Sequence, residues 1–322
     1  MHNWDTRDES GSDTGCEWEK DWEDVQRVCH QLGLPCEKID LSREYWNNVF
    51  EPSLRLWESG ETPNPDVWEV KFGVLLNKMV ARDARWLAMG HYAGIEWAQS
   101  TKSSRPRPRL VRALDKKKDQ SYYLSGILES SLGKALFPLQ HLQKAQVREL
   151  AMKYGLHTAQ RSESMGICFV GEKRRFTKFL AQYISPKPGP IIDMVTKMQV
   201  GTHQGLWHFT IGQAAKVSGQ RERPKHSAML SSGIITRNFR WIWDDDAPIA
   251  VDSRDGFRAR VQYRHAEADT SCVVWRRSET DICIDFDEPQ LAISPGQIAA
   301  VYDEAGRWCL GNGEISESIP VQ

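Results

Sequence analysis

One cysteine set between two glycines and followed by three cations carries the strongest chemical signal in this sequence. In Ser164-Met165-Gly166-Ile167-Cys168-Phe169-Val170-Gly171, Cys168 lies just ahead of Lys173, Arg174 and Arg175. Nearby positive charge favours the thiolate, the nucleophilic form of cysteine, and glycines let a loop approach a ligand closely. A cysteine packed among apolar side chains would be inert, so both readings stand on these residues alone. In Thr62-Pro63-Asn64-Pro65-Asp66 two prolines bracket Asn64. The resulting rigid turn would hold Asn64 and Asp66 at fixed angles beside a helix start, though spacing alone favours a simple capping turn. Lys116-Lys117-Lys118-Asp119-Gln120-Ser121 precedes a predicted helix whose first turn would offer N–H groups to an anion. Gln262-Tyr263-Arg264-His265 joins a ring to a cation, the combination that holds single-stranded bases. His203 and His208 lack a nearby third ligand and read as wall or core residues, so no metal site is expected from them.

These groups need elements to hold them. Trp18, Trp22, Val25, Cys29 and Leu32 fall on one helical face that stops at Gly33. A short strand over 35–41 should follow, then a helix capped by Ser42 and ending near Gly60, and another over 67–81. Residues 84–91 and 109–114 read as strands, and 119–128, 144–154 and 173–184 as helices. Helix alternating with strand implies a parallel sheet covered on both faces. The texture changes after Pro186-Lys187-Pro188-Gly189-Pro190. From Gly256 to Gly313 short runs such as Phe257–Tyr263 and Ile282–Phe286 alternate apolar and polar residues between turns, which predicts a small antiparallel barrel.

A length of 322 residues allows two or three domains, and 40% hydrophobic with 26% charged residues excludes wholesale disorder. No apolar run is long enough for a membrane helix, so no membrane partner is expected. Seven cysteines without a CxxC pair argue against a disulfide scaffold or a zinc ribbon. A net charge of −1 conceals segregation: nine acidic residues between Asp5 and Asp24, and eight basic residues against one acid between Lys102 and Lys118. The basic run could form a phosphate-binding face on a nearly neutral molecule, or a solvated surface loop. The polar, acidic N-terminus carries neither a secretory signal nor a transit-peptide pattern.

In this order, Asn3-Trp4-Asp5, Thr62–Asp66, Gly90-His91-Tyr92, Lys118–Tyr122, Gly166–Gly171, Gly201–Gly205, Thr210–Gln213, Tyr263-Arg264 and Pro295-Gly296-Gln297 resemble the tRNA-specific 2-thiouridylase family over nearly the whole chain. Glu17–Val25 and Ile235–Trp243 are closer in wording to its eukaryotic mitochondrial branch, whose substrate uridine carries a 5-substituent such as taurinomethyl. The resemblance implies an α/β, Rossmann-like ATP-pyrophosphatase domain with a parallel sheet over 1–187, a shortened central domain over 188–234, and a tRNA-binding antiparallel β-barrel over 235–322. It implies ATP with Mg²⁺, a tRNA anticodon arm, a persulfide sulfur donor protein, and a mitochondrial location, with the cytoplasm as the alternative. Family members adenylate O2 of the wobble uridine and replace that oxygen with sulfur. Carried over by motif, Cys168 bears the persulfide and is catalytic together with Asp66. Asn64, Pro65 and Asp66 contact the target base; Gly90 and Met1 line the ATP site; His91, Lys118, Asp119, Gln120, Tyr263, Arg264 and Gln297 contact tRNA.

Two departures follow from the same comparison. The family's Ser-Gly-Gly-Val-Asp-Ser phosphate loop belongs upstream of Asn3-Trp4, so a chain starting at Met1 is expected to lack the pyrophosphate cradle and part of the first domain. The family's second cysteine, in Cys-Asn-Arg/Lys-Glu ahead of Val/Ile-Lys-Phe and able to close a disulfide with the first, is replaced by Asp66-Val67-Trp68-Glu69-Val70-Lys71-Phe72. Three residues are read as deleted there, and the central domain as shortened between Gly219 and Ser232. The alternative to an ATP-dependent thiolating enzyme is therefore a non-catalytic tRNA-binding paralogue.

Overall fold

The structure is a computed structural model that describes residues 1–4, 17–65, 68–100, 102–161, 176, 179–213, 226–265 and 267–321. Cys168 and Asp66 lie outside the described residues, as do residues 173–175, 177 and 178 of the predicted helix over 173–184 and the acidic stretch up to Cys16.

The first helix, Glu17–Leu32, ends where Gly33 turns left-handed at φ 66° and Leu34 N–H returns to the Cys29 carbonyl. The strand expected over 35–41 shrinks to one parallel bridge, His2 with Asp40. Pro35 offers no N–H, and Cys36, Glu37 and Lys38 stay in solvent. Asp40, not Ser42, caps the next helix: its carboxylate accepts from Ser42 N–H at 2.9 Å and Ser42 Oγ at 2.7 Å. That helix runs through Ser42–Tyr45, a widened π turn Trp46–Phe50 and Glu51–Ser59, ending on left-handed Gly60. Pro52, just past the π turn, has no N–H for the regular ladder. Tyr45, Phe50 and Trp57 pack with Phe179 and Leu180 into a core of their own. Parallel pairing, the mark of the α/β domain, is seen between β1 (Leu87–Ala88) and β4 (Ala135–Leu136).

Two elements depart from the sequence reading. The strand read over 109–114 is the end of a longer one, β3 (Ser103–Arg112), which pairs antiparallel with β2 (Ala93–Ser100) and crosses to the C-terminal sheet. The helix read over 119–128 is a chain of tight turns followed by a short helix, Glu129–Leu132, because the Asp119 and Gln120 side chains take backbone N–H groups of Ala113 and Tyr92.

The central segment contributes a hairpin of β5 (Gly189–Ile192) and β6 (Gln199–His203). Beyond it β7 (Leu230–Trp241), β8 (Phe257–Gln262), β9 (Thr270–Arg276), β10 (Ile282–Leu291), β11 (Ile298–Tyr302) and β12 (Trp308–Pro320) form a barrel in the order β11-β8-β9-β10-β7-β12, closed by β11 on β12. Alternate residues Ile282, Ile284 and Phe286 face its core beside Val261, Val274 and Val301, as the period of two requires. A third apolar cluster spans both units: Tyr122, Leu124 and Phe137 pack with Trp243, Tyr302 and Cys309. The barrel is thus fused to the α/β domain through the β2–β3 hairpin and a shared core.

Candidate functional site

The Asn64-Pro65 turn lies on that seam. Thr62 N–H donates to the Pro295 carbonyl at 2.9 Å, and the Gln297 side-chain amide donates to the Thr62 carbonyl. Asn64 Nδ2 donates to the Tyr122 hydroxyl at 3.3 Å, which in turn donates to the Ile298 carbonyl at 3.0 Å. Gly296 is required here: its φ is 88°, and a Cβ would stand 2.8 Å from Thr62 N. One residue earlier, Glu61 accepts from Arg237 of β7 at 2.7 Å, and the same guanidinium nitrogen donates to Glu314 of β12. The Asn64-Pro65 turn and Gln297, far apart in sequence, are thus brought together.

Lys118, Asp119 and Gln120 lie beside Tyr263 and Arg264, joined through Arg112. Asp119, with its side chain 5% exposed, accepts from Ala113 N–H at 2.8 Å, Ser121 Oγ at 2.6 Å and Arg112 Nη1 at 2.9 Å. Gln120 exchanges two bonds with the Tyr92 backbone, at 3.0 and 2.7 Å. Both side chains face inward and shape the loop. Arg112 also reaches Gln262, Asp269 and the Gly306 carbonyl and lies 3.9 Å from the Tyr302 ring centre. Burial alone would lower the pKa of its guanidinium; Tyr302, Asp119 and Asp269 raise it instead. Gln262 donates on to the Arg264 carbonyl at 3.1 Å.

The Tyr263 ring, expected as a stacking platform, is 7% exposed in the barrel core against Phe286, and its hydroxyl donates to Gln290. Arg264 holds Glu267 at 2.9 Å and the Ala292 carbonyl. His91 is buried, with its ring parallel to Tyr123 and beside Phe72. Burial, then the neighbouring Lys71, pushes its pKa down to about 4, so it is neutral at physiological pH. Gly90 is exposed just past β1, with nothing within 4 Å of the position a Cβ would take, and Met1 is exposed at the N-terminus.

The basic run does not form one phosphate face. Arg107 is buried in a clasp with Glu129 and Asp245 over Trp243, Arg109 lies 3.8 Å from the Trp308 ring centre, and Arg112 is held as described. Arg105, Lys116 and Lys117 remain exposed. The sequence reading missed Arg237 and Glu61, which no local pattern marks, and took Arg112 for part of a phosphate face. His208 stacks on Trp207 at 3.8 Å, and its pKa is lowered by burial and then by His203. Burial raises the thiols of Cys272 and Cys309 to about 12 and of Cys283 to about 11, which makes them packing residues.

An α/β domain fused to an antiparallel barrel, with a rigid turn and a loop meeting on their seam, defines a two-part architecture in which each part completes the other's surface. Family models match all three segments: a tRNA methyl transferase HUP domain over residues 1–172, a tRNA methyl transferase PRC-barrel domain over 177–226 and an aminomethyltransferase beta-barrel domain over 231–315. The tRNA-specific 2-thiouridylase MnmA of Alkaliphilus oremlandii is 34% identical over 344 positions, covering 99% of this chain and 89% of the relative. The enzymes of that name from Vibrio cholerae and Oceanobacillus iheyensis are each 35% identical, with 99% of this chain covered and 89% and 87% of theirs. The chain belongs to the tRNA-specific 2-thiouridylase family, a family of tRNA-thiolating transferases. Its alignment with the Alkaliphilus enzyme runs over 344 positions, more than its own 322 residues, so that relative has residues inside the matched span that this chain lacks.

Proposed function

We propose that this chain grips a tRNA anticodon arm along the seam and serves ATP-dependent 2-thiolation of the wobble uridine, with Cys168 carrying the sulfur as a persulfide. The observation that carries the reading is the docking of the Asn64-Pro65 turn on the Pro295–Gln297 loop, beside the Lys118–Gln120 loop and Arg264. A base held by Asn64 and Pro65 and an arm held by the exposed cations near Lys118 would then lie on one continuous surface. Gly90 lies exposed just past the carboxyl end of a parallel strand, the place where α/β sheets take nucleotides, which supports a role for it toward ATP. ATP, with Mg²⁺, supplies the group that turns the uridine O2 into a leaving group. Asn64 and Pro65 orient the base, Asp66 borders it, and the cations after Cys168 favour its thiolate for accepting sulfur from a persulfide donor protein. The likeness of Glu17–Val25 and Ile235–Trp243 to the mitochondrial branch supports a mitochondrial tRNA as substrate.

A second reading, a non-catalytic tRNA-binding protein, is favoured by one observation: the sequence holds no cysteine between Cys36 and Cys168. Release of sulfur from Cys168 needs a second thiol. The full chain incubated with a persulfide donor, followed by mass-spectrometric mapping and a 2-thiouridine assay with ATP, separates the readings. Persulfide on Cys168 without multiple-turnover thiolation selects the second, and multiple turnover selects the first. Labelling spread evenly over all seven cysteines would sink the role given to Cys168.

A further inference from the structure

We propose that the barrel sets the pose of the target-base turn, and that Glu61, held by Arg237, is a positioning residue for selecting the uridine; this rests on the tRNA reading above. The turn is a stiff strap. Gly60 closes the preceding helix in the left-handed region, and Pro63 and Pro65 fix two of the next five φ angles. A strap of that kind takes its direction from its anchors. The anchors seen on this side belong to the barrel: the Pro295 carbonyl takes Thr62 N–H, Gln297 gives its amide to the Thr62 carbonyl, and Arg237 takes Glu61.

Arg237 is itself fixed without the turn. It sits opposite Glu314 in the β7–β12 register and donates to that carboxylate, so the guanidinium is part of the barrel wall. Burial raises the Glu314 pKa while Arg237 opposes the rise. Glu61 is the one member of the trio from the α/β domain. Because Glu61 and Arg237 are both partly open to solvent, their pair adds little to stability. Its effect is on direction: it pins the residue just before Thr62, three positions from Asn64. Gly296 acts from the other side, since any side chain there would push Thr62 away.

The test uses the full chain and two anticodon stem-loop RNAs that differ only in uridine or cytidine at the wobble position. The wild type is expected to prefer uridine. Glu61→Ala and Gly296→Ala should each lower the uridine-to-cytidine affinity ratio by about threefold or more, with affinity for the cytidine arm unchanged; the melting temperature should hold in Glu61→Ala and fall in Gly296→Ala, where a Cβ strains a left-handed residue. Glu61→Gln, which keeps an acceptor for Arg237, should restore most of the ratio. Asp287→Ala, which breaks the exposed Arg258–Asp287 pair elsewhere on the barrel, should leave it alone. An unchanged ratio in both Glu61→Ala and Gly296→Ala overturns the proposal and spares the tRNA reading. Equal weakening toward both RNAs overturns it too, since that is docking without selection. A wild type that binds neither RNA removes the tRNA reading and this inference with it, and one that binds both equally removes this inference while leaving tRNA binding without base selection.

Discussion

Replacing Arg112 with methionine tests whether the two domains are locked by the polar node on their seam. The change keeps the length and packing of the side chain and removes its charge. It deletes bonds to Asp119 at 2.9 Å, Asp269 at 2.7 Å, Gln262 at 3.2 Å and the Gly306 carbonyl at 2.8 Å, plus the contact with the Tyr302 ring. Asp119 and Asp269 are both mostly buried, and removing one partner from a buried ion pair costs about 3–5 kcal/mol. Two features point to the lower end: Asp119 keeps its bonds from Ala113 and Ser121, and Asp269 keeps Arg260. A loss of about 3 kcal/mol is therefore expected, read by urea unfolding followed through tryptophan fluorescence. Arg112→Lys should recover only part, because an ammonium cannot present the planar fork that reaches several acceptors at once. Arg258→Met, at an exposed pair, should cost nothing measurable. If Arg112→Met unfolds within about 1 kcal/mol of the wild type, the node is not a lock and the reasoning fails.

Three other outcomes follow from the structure. His91 is neutral when folded, with a pKa near 4, and binds a proton below about pH 6.5 when unfolded. Stability present above pH 6.5 is therefore lost as the pH falls toward 4, by up to about 3 kcal/mol, and His91→Phe, which keeps the ring on Tyr123, should remove that part of the slope in urea titrations at stepped pH. Binding of an anticodon arm should weaken as salt rises, and replacing Lys116 and Lys117 with alanine should flatten the log–log salt slope by about 1 per residue. An unaltered slope in a filter assay would exclude these lysines from phosphate contact. Arg107→Ala, by contrast, should act on stability, because its guanidinium is spent on Glu129 and Asp245.

What could be read in the sequence was what depends on near neighbours. The helix that stops at Gly33 appears where the spacing of Trp18, Trp22, Val25, Cys29 and Leu32 places it, and the alternation over Ile282–Phe286 is a barrel strand. Partners far along the chain left no trace. Arg107 and Arg112 belong to a basic run that suggests a phosphate surface, yet they bond to acids 138 and 157 residues away. Charge is visible in a sequence, but what neutralises it is not. The helix misread over 119–128 has the same origin, since Gln120 binds the backbone of Tyr92, 28 residues back. Of the candidate site, the types and order of Asn64, Lys118 and Gln297 were legible from the motifs. Their meeting on one seam required the fold.

The segment after Asp66 bears on whether loading and release of sulfur can be uncoupled in this chain. Ahead of Val70-Lys71-Phe72 this chain has Val67-Trp68-Glu69 and no thiol. Trp68 is wedged against the shared core, and a Cβ on Gly126 would stand 2.5 Å from its indole, so the ring has a fitted place. Glu69 has its pKa raised by burial, with Arg240 opposing, and a carboxyl group cannot displace sulfur from a persulfide as a thiol does. Nor do the described cysteines offer a replacement from the barrel: Cys272, Cys283 and Cys309 hold their protons to pH 11 or 12. Cys36 is raised as well, by desolvation and by Cys29 beside it. If Cys168 carries the persulfide proposed above, an added thiol is the expected route for releasing its sulfur, and release indifferent to added thiol would refute this.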